Sequence, residues 1–209
     1  MKMNLPNKLT VLRLCLVPVL IIVGMLPEAW IPKYVSYVIL AVLFICASLT
    51  DMLDGKIARR DGLVTDFGKF LDPIADKFMV IGSMFIILYR FDNLRTIMIF
   101  VLLVVVFREL AVTSMRLVVS TGNNIVVAAN KLGKLKTVLQ IVAISSAFLE
   151  PVVQHIIIKI VESASGQVST WNTDIVPLTW VTLAASVVLT VWSGVVYLSS
   201  YWKYLDPEK

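Results

Sequence analysis

Six apolar runs alternate with short polar connections along the chain: approximately Leu9 to Leu26, Val35 to Ala58, Phe70 to Tyr89, Thr96 to Met115, Leu135 to Ile158 and Val176 to Tyr201. Each is close to the ~20 residues that a helix needs to cross a bilayer. The pattern predicts an all-α polytopic membrane protein with six transmembrane helices in a single domain, residues 1–209, preceded by a short tail over residues 1–8. The first run lacks a small-residue cleavage site and is interrupted by Pro18, so it is expected to stay in the mature protein and to begin as an interfacial helix. The fifth run has no clear end. Pro151, the single histidine His155 and the polar stretch Glu162 to Gln167 read as an exterior loop, with His155 at a surface or interfacial position.

Composition agrees with the pattern: 58% of the residues are hydrophobic and 16% charged, far from the usage of a soluble domain. Cys15 and Cys46 fall inside apolar runs without metal-ligand spacing and are expected to be core filler. The basic residues set an orientation. Twelve of the nineteen lie on one side, among them Lys8, Lys56, Arg60, Lys69, Lys131 and Lys203, against Lys33, Arg90, Arg95 and Lys159 on the other. The positive-inside rule makes the richer side cytoplasmic, both termini included. A net charge of +5 favours an anionic membrane surface or anionic substrates, and no nucleic-acid partner is expected.

Against this background four aspartates stand close together: Asp51-x-x-Asp54-Gly55-x-x-Ala58-Arg59, eight residues, then Gly68-x-x-x-Asp72-x-x-x-Asp76. A charge inside the bilayer costs roughly 2.5–3.5 kcal/mol even on the gentlest scale, so the cluster marks function. At about 100° per residue, Asp51, Asp54, Gly55, Ala58 and Arg59 share one helix face, and Gly68, Asp72 and Asp76 form a stripe on the next. Asp61-Gly62 supplies a turn between the helices, Pro73 suits the first turn of the second, and the stripes are expected to face each other across an antiparallel hairpin at the cytoplasmic ends of helices 2 and 3. Two carboxylates from each helix suit a pair of hard divalent cations with open positions for substrate. Gly55 and Ala58 leave space along the backbone, and Arg59 offers a fork of donors to a phosphate.

This signature resembles that of the CDP-alcohol phosphotransferases, and residues 51–76 match it at all eight fixed positions. The resemblance implies that family's six-helix fold, usually a homodimer, and transfer of a phosphate-linked group from a CDP-linked donor to an alcohol with release of CMP. It further implies that Asp51, Asp54 and Asp72 bind one divalent ion, Mg²⁺ or Mn²⁺, and that Asp51, Asp72 and Asp76 serve a second. Asp76 would also be the general base, and Gly55, Ala58, Arg59 and Gly68 would hold the cytidine diphosphate.

Three further stretches, Pro6-Asn7-Lys8-Leu9-Thr10-x-x-Arg13, Arg108-Glu109 with Arg116, and Gly133-Lys134-Leu135-Lys136-Thr137-x-x-Gln140, resemble the bacterial branch that uses CDP-diacylglycerol and glycerol 3-phosphate. Asn7 and Thr10 would line the nucleotide or phosphate site, and Arg108, Arg116, Lys134 and Lys136 the acceptor phosphate, with Glu109 orienting a guanidinium. Basic residues at cytoplasmic helix ends also follow from topology alone. The alternatives are a sister enzyme with another acceptor (phosphatidylglycerol, serine or an inositol phosphate) and, more remotely, a transporter with carboxylates on its pathway. The expected location is the bacterial plasma membrane.

Overall fold

The computed structural model describes residues 4–60, 62–63, 65–123, 131–166 and 176–202; the side chains of Met52, Asp54, Ala58, Arg59 and residues 120–123 are not part of that description. The described residues form six helices: α1 (Leu5–Met25), α2 (Lys33–Arg60), α3 (Asp66–Arg90), α4 (Arg95–Asn123), α5 (Lys131–Ser165) and α6 (Pro177–Tyr201). Five are long and apolar enough to cross a membrane. The sixth, α3, has an apolar second half, but its first half carries Asp66, Lys69, Asp72, Asp76 and Lys77. The chain is a multi-pass membrane protein.

Neighbours in the bundle do not follow chain order. Contacts link α1 with α2 and α3, α2 with α5, α5 with α6, α6 with α4 and α4 with α3, which closes a ring in the order 1-2-5-6-4-3. Only slight contact joins α2 to α3, while α5 also reaches α3 across the middle. Tyr37, Leu40 and Phe44 of α2, Met84 and Ile87 of α3, and Ile144 and Phe148 of α5 fill the core with no exposed surface.

Several expectations need correction. Helix α1 runs unbroken through Pro18 and begins at Leu5 behind an Asn4 cap. Its last turn is held by Arg90, whose Nε donates to the Gly24 carbonyl (2.6 Å) and whose Nη2 donates to that of Leu26 (2.8 Å). Pro73 lies two turns inside α3 because Thr65 starts the helix earlier: its side chain accepts from the Gly68 amide at 3.1 Å. Cys15 and Cys46 are exposed on the outside of the bundle rather than packed in the core. Helix α5 continues through Pro151 and His155 to Ser165, so Glu162 to Ser165 are helical and not loop. At ~1.5 Å per residue its 35 residues reach about 52 Å, beyond a ~30 Å hydrocarbon core. His155 stacks on Tyr34 at 3.8 Å between ring centroids, at the end of the bundle away from the aspartates. Of the Asp61-Gly62 turn, Gly62 adopts φ +66°, a left-handed conformation that suits glycine, and Asp61 is outside the described residues.

The start of α6 shows how a buried helix end is satisfied without a local cap. Its N-cap, Val176, offers no side-chain acceptor. Glu150 supplies one from α5, accepting from the amides of Leu178 (2.9 Å) and Thr179 (2.7 Å) and from the Thr179 hydroxyl (2.7 Å).

Candidate active site

Asp51 on α2 and Asp76 on α3 stand close together, although the two helices touch only slightly and α1 packs against both. Two rows of like charge repel, and α1 supplies the missing cation. Arg13, fully buried, uses one guanidinium nitrogen to reach Asp51 on α2 at 2.7 Å and Asp76 on α3 at 2.8 Å. One turn earlier, the Thr10 hydroxyl donates to Asp72 at 2.6 Å. Asn7, one further turn back, accepts from the Thr65 hydroxyl at 2.9 Å and so joins the cap of α3. Asn4 ties the same end to the α2–α3 connection by donating to the Leu63 carbonyl at 2.8 Å. Residues 7, 10 and 13 repeat at helical spacing, so one face of α1 serves Asp51, Asp72 and Asp76.

Gly68 fits into this contact because it has no side chain. A Cβ there would lie 3.0 Å from Asn7 Oδ1 and 3.3 Å from Thr65 Oγ1, too close for the Asn7–Thr65 hydrogen bond to stay where it is.

Asp51, Asp72 and Asp76 open onto a cavity of about 400 Å³ with two chemically different walls. Carboxylates of α2 and α3 form one. Arg108 and Arg116 of α4, Lys136 of α5 and Lys77 of α3 form the other. Glu109 sits among the cations, accepting from Lys136 Nζ in a very short contact and from Arg108 Nη1 at 3.0 Å. Arg108 is fixed further by Ser193 of α6 at 3.1 Å. Lys77 donates to the Thr113 hydroxyl, and Arg116 to that of Tyr197 at 3.4 Å, with its guanidinium 5.9 Å from the ring centroid.

Seven of the residues given a role in the sequence thus meet at one cavity: Asp51, Asp72, Asp76, Arg108, Glu109, Arg116 and Lys136. Lys134 does not line it and is exposed. Asn7 and Thr10 stand behind it, holding α3 and Asp72. Gly55 is half-buried on α2, whereas the side chains of Asp54, Ala58 and Arg59 lie outside the described part of the structure. The sequence reading left Arg13, Lys77 and Gln140 without a role. Arg13 had a signal, since it is the one charged residue in its apolar run and sits three after Thr10.

The donor set suits a hard divalent cation, being all oxygen and drawn from two helices whose carboxylates line one cavity. Among the described residues no three acidic, histidine or cysteine side chains converge tightly enough to enclose an ion; Arg13 stands between two of them.

Comparison with known proteins gives the family. The family model for CDP-alcohol phosphatidyltransferases matches residues 3–192. The CDP-diacylglycerol–glycerol-3-phosphate 3-phosphatidyltransferase of Bacillus subtilis (strain 168) is 39% identical over 97% of this chain and 97% of its own length. Proteins of the same name from Rickettsia typhi (40% identical, 70% of this chain and 76% of theirs) and Salmonella choleraesuis (34%, 72% and 80%) are also similar. With the eight-position signature, the carboxylate wall on α2 and α3 and a family match over nearly the whole length, the chain belongs to the CDP-alcohol phosphatidyltransferase family.

Proposed function

We propose that this chain transfers the phosphatidyl group of CDP-diacylglycerol to glycerol 3-phosphate, giving phosphatidylglycerophosphate and CMP. The divided cavity carries the reading. A phosphorylated alcohol has a dianionic end that suits Arg108, Arg116, Lys77 and Lys136, and a hydroxyl end that must reach a base on the opposite wall. Asp76, which lines the cavity from α3, would take that role. As the acceptor oxygen attacks the lipid-linked phosphorus, Asp76 takes its proton; the new P–O bond forms as the phosphoanhydride bond to CMP breaks.

Enzymes of this family generally depend on divalent metal ions. Asp51, Asp54, Asp72 and Asp76 would hold two, Mg²⁺ or Mn²⁺. Such ions, when bound, neutralise charge on the diphosphate and stabilise departing CMP. The chain's own groups do the rest. Thr10 holds Asp72 in place and Arg13 draws Asp51 and Asp76 together. Gly55, Ala58, Arg59 and Gly68 would receive the cytidine diphosphate, with Asn7 supporting Gly68. Glu109 keeps the cations of α4 and α5 in place and lowers the cost of gathering them without a ligand. The basic-residue count supports a cytoplasmic site, where CMP is released, and family resemblance supports a homodimer.

The test uses purified protein, CDP-diacylglycerol, Mg²⁺ or Mn²⁺ and a panel of alcohols, with CMP as the readout. Metal-dependent CMP release with glycerol 3-phosphate is expected. Release with serine, phosphatidylglycerol or an inositol phosphate instead would overturn the acceptor, and no release with any alcohol would overturn the reaction.

A further inference from the structure

The cavity holds one polar side chain that neither the ionic wall nor the carboxylates use. Gln140 lies on α5 one turn beyond Lys136, about 6 Å along the helix. It lines the same cavity, is 1% exposed, and its Nε2 has no hydrogen-bond partner among the described residues. An amide nitrogen carries two donors, and burying them without an acceptor is expensive; an apolar residue of the same size would avoid the cost. Its presence here calls for an acceptor that arrives from outside.

Other uncharged donors along the described lining are already committed. Ser48 gives its proton to the Phe44 carbonyl at 2.8 Å, Thr113 to that of Glu109 at 2.7 Å, and Thr137 to that of Gly133 at 3.1 Å. The charged donors, Arg108, Arg116, Lys77 and Lys136, form the anion-binding wall. Gln140 is therefore the neutral donor left over on that lining. Glycerol 3-phosphate, in turn, has one polar group left over: its phosphate is met by the cations and its C1 hydroxyl is the nucleophile, which leaves the hydroxyl on C2.

We infer that Gln140 is the specificity residue that donates to the C2 hydroxyl of the acceptor, so that the cavity distinguishes a glycerol phosphate from a phosphorylated alcohol without that group. This rests on the acceptor proposed above. A site built around a hydrogen bond discriminates because an acceptor lacking the hydroxyl leaves the buried amide unpaired.

The wild-type enzyme is assayed for CMP release with glycerol 3-phosphate and with 3-hydroxypropyl phosphate, which differs only by loss of the C2 hydroxyl. At least a tenfold preference in kcat/KM for glycerol 3-phosphate is expected. Gln140→Met is expected to erase most of it by raising KM for glycerol 3-phosphate while leaving the kinetics with 3-hydroxypropyl phosphate within about twofold. Equal use of the two acceptors by the wild type overturns the role of Gln140 without a variant having to fold, and so does an equal loss on both acceptors in Gln140→Met. Failure of the wild type to release CMP with glycerol 3-phosphate, while another alcohol supports it, overturns the acceptor reading and this inference together.

Discussion

Replacing Arg13 with methionine keeps most of the side chain's bulk and removes its charge from between Asp51 and Asp76. Breaking a fully buried ion pair from one side costs about 3–5 kcal/mol, whereas an exposed pair is worth about 1 kcal/mol or less. Here the guanidinium has no exposed surface but the two carboxylates are 41% and 48% exposed toward the cavity, so an intermediate loss of about 2–3 kcal/mol is expected. For a chain of this length each kcal/mol moves the melting temperature by roughly 2–4 °C, which gives a drop of about 5–10 °C. That drop belongs to the metal-free protein. A divalent ion at the same carboxylates compensates the charge that methionine cannot, so the drop is expected to shrink by at least half at saturating Mg²⁺. The assay is thermal unfolding in detergent of wild type and Arg13→Met, each with EDTA and with Mg²⁺, at one scan rate because membrane proteins often unfold irreversibly. An equal drop in both conditions would refute the reasoning, since the guanidinium would then be stabilising packing and not the carboxylates.

Asp76→Asn, nearly isosteric but unable to take a proton, is expected to abolish CMP release while leaving metal-dependent binding of CDP-diacylglycerol measurable by equilibrium dialysis; full activity would remove Asp76 as base. Lys136→Met is expected to raise KM for glycerol 3-phosphate about tenfold or more, as loss of a charge-assisted hydrogen bond does, and Lys134→Met to leave it within about twofold, in steady-state assays. Glu150→Ala removes the acceptor for two amides and a hydroxyl at the start of α6 and is expected to cost about 1–2 kcal/mol, seen as a lower melting temperature with kcat/KM unchanged for the protein that remains folded.

The aspartate stripes were legible because helical phase is strict: residues three and four apart must share a face, so Asp72 and Asp76 were bound to point together whatever surrounded them. Which helix would stand opposite was not legible. In a membrane nearly every face of a spanning helix is apolar, so hydrophobic periodicity does not mark the packed side. The slight contact between α2 and α3, and the contact of α1 with both, follow from packing and charge, and only the lone Arg13 in its apolar run hinted at it. The same blindness put Cys15 and Cys46 in the core, since an apolar run facing lipid reads like one facing protein. Pro73 was misplaced because proline favours a first turn, while the Thr65 cap that starts α3 earlier is a weaker signal. Of the acceptor lysines, Lys134 and Lys136 differ by two positions and hence about 200° of rotation, a distinction that needed the placement of α5 to acquire meaning.

The ring order 1-2-5-6-4-3 bears on how the protein is made. The first three helices to leave the ribosome hold every aspartate of the signature and the arginine that joins two of them, so the carboxylate wall can assemble early as a unit. Helix α4 packs beside α3, and α5, made after it, packs against α2 and brings Lys136 and Gln140 to the cavity. The cationic wall is thus begun by α3 and α4, which hold Lys77, Arg108 and Arg116, and completed by Lys136 of α5. A nascent chain halted after α4 carries Asp51, Asp72 and Asp76 together with Lys77, Arg108 and Arg116 but lacks Lys136 and Gln140, so the cavity is closed only once α5 is inserted and α6 has been pinned to it by Glu150.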